Sequence, residues 1–154
     1  MDANNNVSIN FPIVFDGPDA TTQAVATYKT AIENAWTGQF GPYNVTTVVG
    51  DVGNILDPRT YTEVVIGPNA NNTPYANMIG GNVVHLNPIN SFPGSPYNTW
   101  TAGHEFGHVL SLPDMYVGRE TALPGYGQNI MGAYGGVVEG QDISNILFLN
   151  HRGM

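Results

Sequence analysis

His104-Glu105-Phe106-Gly107-His108 places two imidazoles four residues apart with a carboxylate beside the first. On a helix, residues four apart share a face. His104 and His108 can then point at one metal ion, and Glu105, one step round the helix, can reach a metal-bound water. This HExxH spacing is the zinc-peptidase arrangement of two ligands and one general base from little more than one turn. Six residues after His108 comes Asp114, and Pro113 marks a bend in between. Two His and one carboxylate leave zinc an open fourth position, as catalysis requires. Zinc would lower the pKa of a water there and polarise a carbonyl. Glu105 would take the water proton and pass it to the leaving amine.

Asp114 is the expected third ligand. Pro-Asp is also a common turn dipeptide, so Glu120, Glu139, Asp142, His85 and His151 stand as rivals. The alternative for the whole motif is a surface helix with two solvated His and a capping Glu.

These residues need a scaffold. The spacing predicts the metal helix over about Thr99 to Leu110, with Asn98 as its cap, ending where Pro113 pushes Leu112 out of helical geometry. Upstream, Val7 to Phe15 reads as a strand and Asp16-Gly17-Pro18-Asp19 as a turn. Val25, Tyr28, Ile32, Ala35 and Trp36 have amphipathic spacing, so Thr21 to Trp36 reads as a helix, capped by Asp19 or Thr21 and stopped by Gly38. Tyr43 to Val49 and Tyr61 to Ile66 read as strands, with loops over 50–59 and 67–74. Met78-Ile79 and Val83 to Leu86 flank Gly80-Gly81-Asn82 as a hairpin. The strand Asn82 to Leu86 is a candidate edge for an extended peptide, or else an interior strand. Residues 88–96 read as turns and 114–140 as an irregular stretch. Ile143 to Asn150 reads as a last helix with Asp142 as N-cap. The order implies an α+β fold in which the metal helix packs on a small sheet.

Composition narrows the function classes. At 154 residues the chain is most simply one domain, with 42% hydrophobic residues to build a core. The net charge is −8, with Lys29, Arg59, Arg119 and Arg152 as the only basic residues. That argues against nucleic acid and anionic membranes as partners, since both need basic surface. Without Cys, zinc must be held by His and carboxylate, and no cysteine switch can restrain the enzyme. No run of about 18 apolar residues suggests a membrane span. The first residues show no charged or apolar leader, so no signal peptide is expected here. Asn69, Asn71 and Asn72 could be read as a calcium loop, but no carboxylate cluster accompanies them.

The stretch from His104 to Asp114 resembles the elongated zinc motif of the metzincins, HExxHxxGxxH, in the variant whose last ligand is Asp. Asn129-Ile130-Met131-Gly132 resembles the metzincin Met-turn, which would place Met131 beneath the metal. The element order is similar too: a mixed sheet with a backing helix, the active-site helix, the Met-turn and a C-terminal helix. Ser111 departs from the family, standing where Gly allows a backbone φ above zero. Tyr134 falls three residues after Met131 where some members have Tyr two after. Tyr134 and Tyr126 are candidate donors to the oxyanion as it forms.

Residues 100–103 before the motif, 112–116 after it, and 129–136 are similar to zinc-peptidase domains at the C-terminal ends of bacterial polymorphic, Rhs-type toxins. That resemblance implies an endopeptidase module, secreted or delivered into target cells as part of a larger protein and neutralised by a dedicated immunity protein. Its substrate would be a protein or peptide. The readings kept beside it are a non-catalytic, zinc-stabilised binding module and a secreted protease unrelated to toxins.

Overall fold

A computed structural model describes residues 1–51, 61–69, 73–118 and 121–152. The fold is α+β: a six-stranded mixed sheet and three helices. Strands β1 (Asn6–Asp16), β3 (Tyr43–Asp51), β4 (Thr62–Ile66) and β6 (Val83–Leu86) run parallel to one another. The short β2 (Gly38–Phe40) and β5 (Tyr75–Ala76) close the two edges antiparallel, in the order β2-β3-β1-β4-β6-β5.

Side chains alternate across a strand, and here one face is the core face. Val7, Ile9, Phe11 and Ile13 of β1 are buried, as are Val45 and Val49 of β3, Val64 and Ile66 of β4, and Val84 and Leu86 of β6. Helix α1 (Thr22–Trp36) covers that face through Ala24, Tyr28, Ile32 and Trp36, four apart along one stripe. The Thr21 hydroxyl accepts from the N–H of Ala24 and caps its start. Helix α2 (Ser95–Val109) is buried over every residue from Thr101 to Gly107. Phe106 meets Phe11 of the sheet edge-to-face at 4.8 Å. Gly103 lets α1 and α2 approach closely, since a Cβ there would stand 2.8 Å from Ala35 Cβ. The Trp36 indole N–H donates to the Gly103 carbonyl at 3.0 Å, fixing the two helices in register.

Several expected boundaries shift. Helix α2 begins at Ser95, not Thr99, because Pro96 occupies the first turn, where its missing N–H costs nothing. Asn98 therefore lies inside the helix and does not cap it. It is fully buried, and its Nδ2 donates to the carbonyls of Ile89 and Ser91, each at 3.0 Å. The hairpin before α2 exists, but its first arm is Tyr75–Ala76, paired with His85 and Val84. Met78 and Ile79 are exposed in the connection. The strand at 83–86 is consequently interior, and β5 is the edge. The stretch 114–140 includes a two-stranded ribbon, β7 (Tyr116–Val117) with β8 (Thr121–Ala122). The last helix, α3, spans Gly140–Arg152. Asp142 sits in its first turn and accepts the N–H of Glu139 at 2.8 Å, reaching back as a capping-box carboxylate does, not as N-cap.

Most of the loop expected over 50–59, Asn71, Asn72, Arg119, Glu120 and the side chains of His151 and Arg152 lie outside the described residues. Among the described residues, no helix is long and apolar enough to cross a membrane.

Candidate metal centre

Helix α2 supplies His104, Glu105 and His108 from its last two turns. The chain then bends sharply. The N–H of Ser111 donates to the His108 carbonyl and that of Leu112 to the Gly107 carbonyl, both at 2.9 Å. This pair of bonds is a Schellman turn, whose key residue sits in left-handed backbone. Ser111 takes that conformation, with φ of 72°. Ser accepts this backbone at a steric cost that Gly would not carry. Leu112 is buried by the turn, and Asp114 comes back over the helix end.

The outcome is a convergent triad. Asp114 Oδ1 lies 3.2 Å from His104 Nε2 and 3.3 Å from His108 Nε2. Ligands about 2.0 Å from a tetrahedral ion stand about 3.3 Å apart, so these separations fit a metal of zinc's size. Among the described residues, this is the one group of three His or carboxylate side chains able to hold a metal ion. The donor set suits zinc.

Both imidazoles are oriented from behind. His104 Nδ1 lies 2.8 Å from the Ile130 carbonyl, and His108 Nδ1 lies 2.8 Å from the Leu112 carbonyl. A carbonyl only accepts, so each Nδ1 carries the proton and each Nε2 is left for the centre. The charges agree with this arrangement. Burial alone would raise the Asp114 carboxyl, but both His, when protonated at Nε2 as well, donate to it and hold it well below the usual carboxylate range. Burial alone would lower the His108 pKa. The Asp114 hydrogen bond, the Leu112 carbonyl and the Glu105 charge outweigh it and raise the pKa.

Glu105 is buried, and burial pushes its carboxyl upward against the pull of the two His. Its Oε2 accepts the N–H of Ala76 in β5 at 2.7 Å. The carboxylate therefore joins the metal helix to the sheet edge. A buried carboxylate with a raised pKa is better suited to hold a proton than a free one.

Glu105 and His104 floor a cleft of about 540 Å³, walled by Thr73, Pro74, Tyr97, Trp100, Tyr116 and Tyr134. Tyr134 is 63% exposed and packs on Tyr97 and Trp100, with ring centroids 5.4 and 5.1 Å away. Tyr126 lies elsewhere. It lines a separate apolar cavity of about 240 Å³ with Leu112, Pro113, Met115 and Met131. The tight turn after it packs Gly132 onto the Tyr126 carbonyl, and Tyr126 is not among the residues that line the cleft. Met131 is buried directly against Gly107, where a Cβ would fall 2.3 Å from Met131 Sδ. The Met-bearing turn thus packs under the helix between the two His.

Among the described residues, the rivals for third ligand, His85, Glu139 and Asp142, have other partners. His85 stacks on Tyr75 at 4.5 Å, and Glu139 and Asp142 bind the Asn129 side chain. Asn69 turns inward to the Thr73 and Asn87 oxygens.

Two tyrosines escaped the sequence reading. Tyr116 hydrogen-bonds Asp114. Burial, with the Asp114 charge and that bond, pushes its hydroxyl up to about 12. Burial and the Glu105 charge also raise Tyr97. Helical spacing carries the signal for Tyr97, which lies two turns before His104 on the same face. Tyr116 stands two residues after Asp114, and no local period in the sequence marks it. Comparison with protein-family models and with curated protein sequences finds no match for this chain.

Proposed function

We propose that the chain is a zinc-dependent endopeptidase of metzincin type, with His104, His108 and Asp114 as ligands and Glu105 as general base. The observation that carries this reading is the meeting of three ligand atoms from helix and bend, with each His tied by Nδ1 to a carbonyl and a buried carboxylate alongside. Zinc, when bound there, supplies a Lewis acid that acidifies water and polarises a carbonyl oxygen.

The chain's own groups do the rest. Glu105 takes a proton from the attacking water as its oxygen bonds to the scissile carbonyl carbon. It returns that proton to the amine nitrogen as the C–N bond breaks. Tyr134 lines the cleft and can donate its hydroxyl to the developing oxyanion, while the Tyr116 hydroxyl is held by Asp114. An extended peptide can lie in the cleft beside β5, the sheet edge whose Ala76 N–H Glu105 holds. The metzincin assignment draws support from the helices packed on one face of the sheet, the left-handed bend at Ser111 and the Met-bearing turn beneath the helix. Delivery as a toxin module, with an immunity protein as partner, rests on the sequence resemblance.

Zinc content and casein cleavage by wild type and Glu105→Gln test the reading. The Gln keeps an acceptor for the Ala76 N–H but cannot take a proton. The variant should retain zinc and lose about 10²–10⁴-fold in cleavage. Absence of zinc, or equal cleavage by the two proteins, refutes it. A non-catalytic zinc module predicts bound zinc with no cleavage by either.

A further inference from the structure

His104 is held by a residue 26 positions away, outside anything the HExxH spacing specifies. The Ile130 carbonyl that takes its Nδ1 proton belongs to a turn built around Asn129, whose side chain is fully buried. Asn129 Oδ1 accepts the N–H of Met131 at 2.8 Å. Its Nδ2 donates to Glu139 Oε2 at 2.9 Å and to Asp142 Oδ2 at 2.8 Å. The Asn129 carbonyl accepts the N–H groups of Gly132 and Ala133, each at 3.0 Å, and the Ile130 N–H donates to the Val137 carbonyl at 2.9 Å. Ile130 is thus fixed from both sides.

We infer that Asn129 is a positioning residue for His104: it ties the first turn of α3 to the turn whose Ile130 carbonyl sets the tautomer and ring direction of that imidazole. The position needs one acceptor and two donors on a short side chain, and an amide supplies both. Asp would offer no donor and would set a third carboxylate against Glu139 and Asp142. Ala would offer neither group, and at full burial no water replaces them freely. His108, by contrast, is oriented by the Leu112 carbonyl of the bend. The two imidazoles therefore depend on separate turns, and that asymmetry makes the role of Asn129 testable.

The inference rests on the peptidase reading only for its consequence in metal affinity. Nitrogen-15 NMR of the metal-free protein reads the tautomer of each imidazole. Asn129→Ala should let His104 shift toward the Nε2–H form while His108 stays unchanged, and zinc affinity should fall about 10–100-fold. N129D should do the same. Should Asn129→Ala fail to fold, N129D carries the test. A folded variant with a wild-type His104 tautomer overturns the inference. So does a joint shift of both His. Loss of the peptidase reading with the tautomer response intact would leave the inference standing.

Discussion

Ser111 is the joint on which the third ligand hangs, and its backbone makes a quantitative prediction. It holds φ of 72° in the turn that carries both the Leu112 carbonyl and Asp114. An L-residue pays about 1–2 kcal/mol for left-handed backbone. Ser111→Gly removes that cost but gives the unfolded chain more freedom, worth about 0.4–1 kcal/mol. The difference favours Gly by about 0.5–1 kcal/mol. For a chain of this size that is about 1–4 °C in Tm. Ser111→Ala keeps the left-handed cost and should stay close to wild type. Ser111→Val adds β-branching to a position that disfavours it and should lower Tm by a similar few degrees. Because the bend aims Asp114, Ser111→Val should also weaken zinc binding, whereas Ser111→Gly should preserve it. Differential scanning fluorimetry with and without zinc reads both effects. Stability in the order Val above Ser above Gly would refute the argument, as would full zinc affinity in a destabilised Ser111→Val.

Gly107→Ala should be destabilising by about 1–3 kcal/mol despite better helix propensity, since its Cβ would fall 2.3 Å from Met131 Sδ. Met131→Ala should absorb part of that cost, so denaturant midpoints of the double variant should be less than additive. Asp114→Ala should abolish stable zinc binding, measurable by competition with a chromogenic chelator, while metal-free folding persists. In metal-free protein, His108 has a pKa raised above its ordinary 6.5. Its contribution is full below 6.5 and is lost as pH rises through the higher folded value. Asp114 is lowered from 3.8, so its contribution is present above 3.8 and is lost as pH falls through the folded value. Thermal scans in chelator should therefore show this pair stabilising most between about pH 3.8 and 6.5. Added zinc needs neutral His, so its own stabilisation should grow above that window.

What was legible in the sequence divides along the range of the interactions. Helix α1 shows in the amphipathic spacing of Val25, Tyr28, Ile32, Ala35 and Trp36, because helical burial writes a local period. The strands at 7, 43 and 62 show as β-branched runs. The start of α2 was not legible. Pro96 reads as a breaker from its neighbours alone, and only the burial of Asn98 under the 88–91 loop extends the helix past it. The first arm of the hairpin, expected at Met78-Ile79, is misplaced for the same reason. Tyr75–Ala76 is two residues long and has no pattern of its own; it is a strand because β6 offers it partners and Glu105 holds its N–H.

The site follows this division. The spacing of His104, Glu105 and His108 is helix geometry and needs no fold to be seen. The direction in which each imidazole points is not. It is set by the Leu112 carbonyl through a left-handed serine and by the Ile130 carbonyl through a buried asparagine, two turns that share no residue. A motif alone can place the ligand atoms on one face. Bringing them within 3.2–3.3 Å of a shared carboxylate oxygen depends on those two turns. Substitutions at Ser111 and Asn129 should therefore matter to the centre as much as changes nearer the motif, although neither side chain belongs to the ligand set.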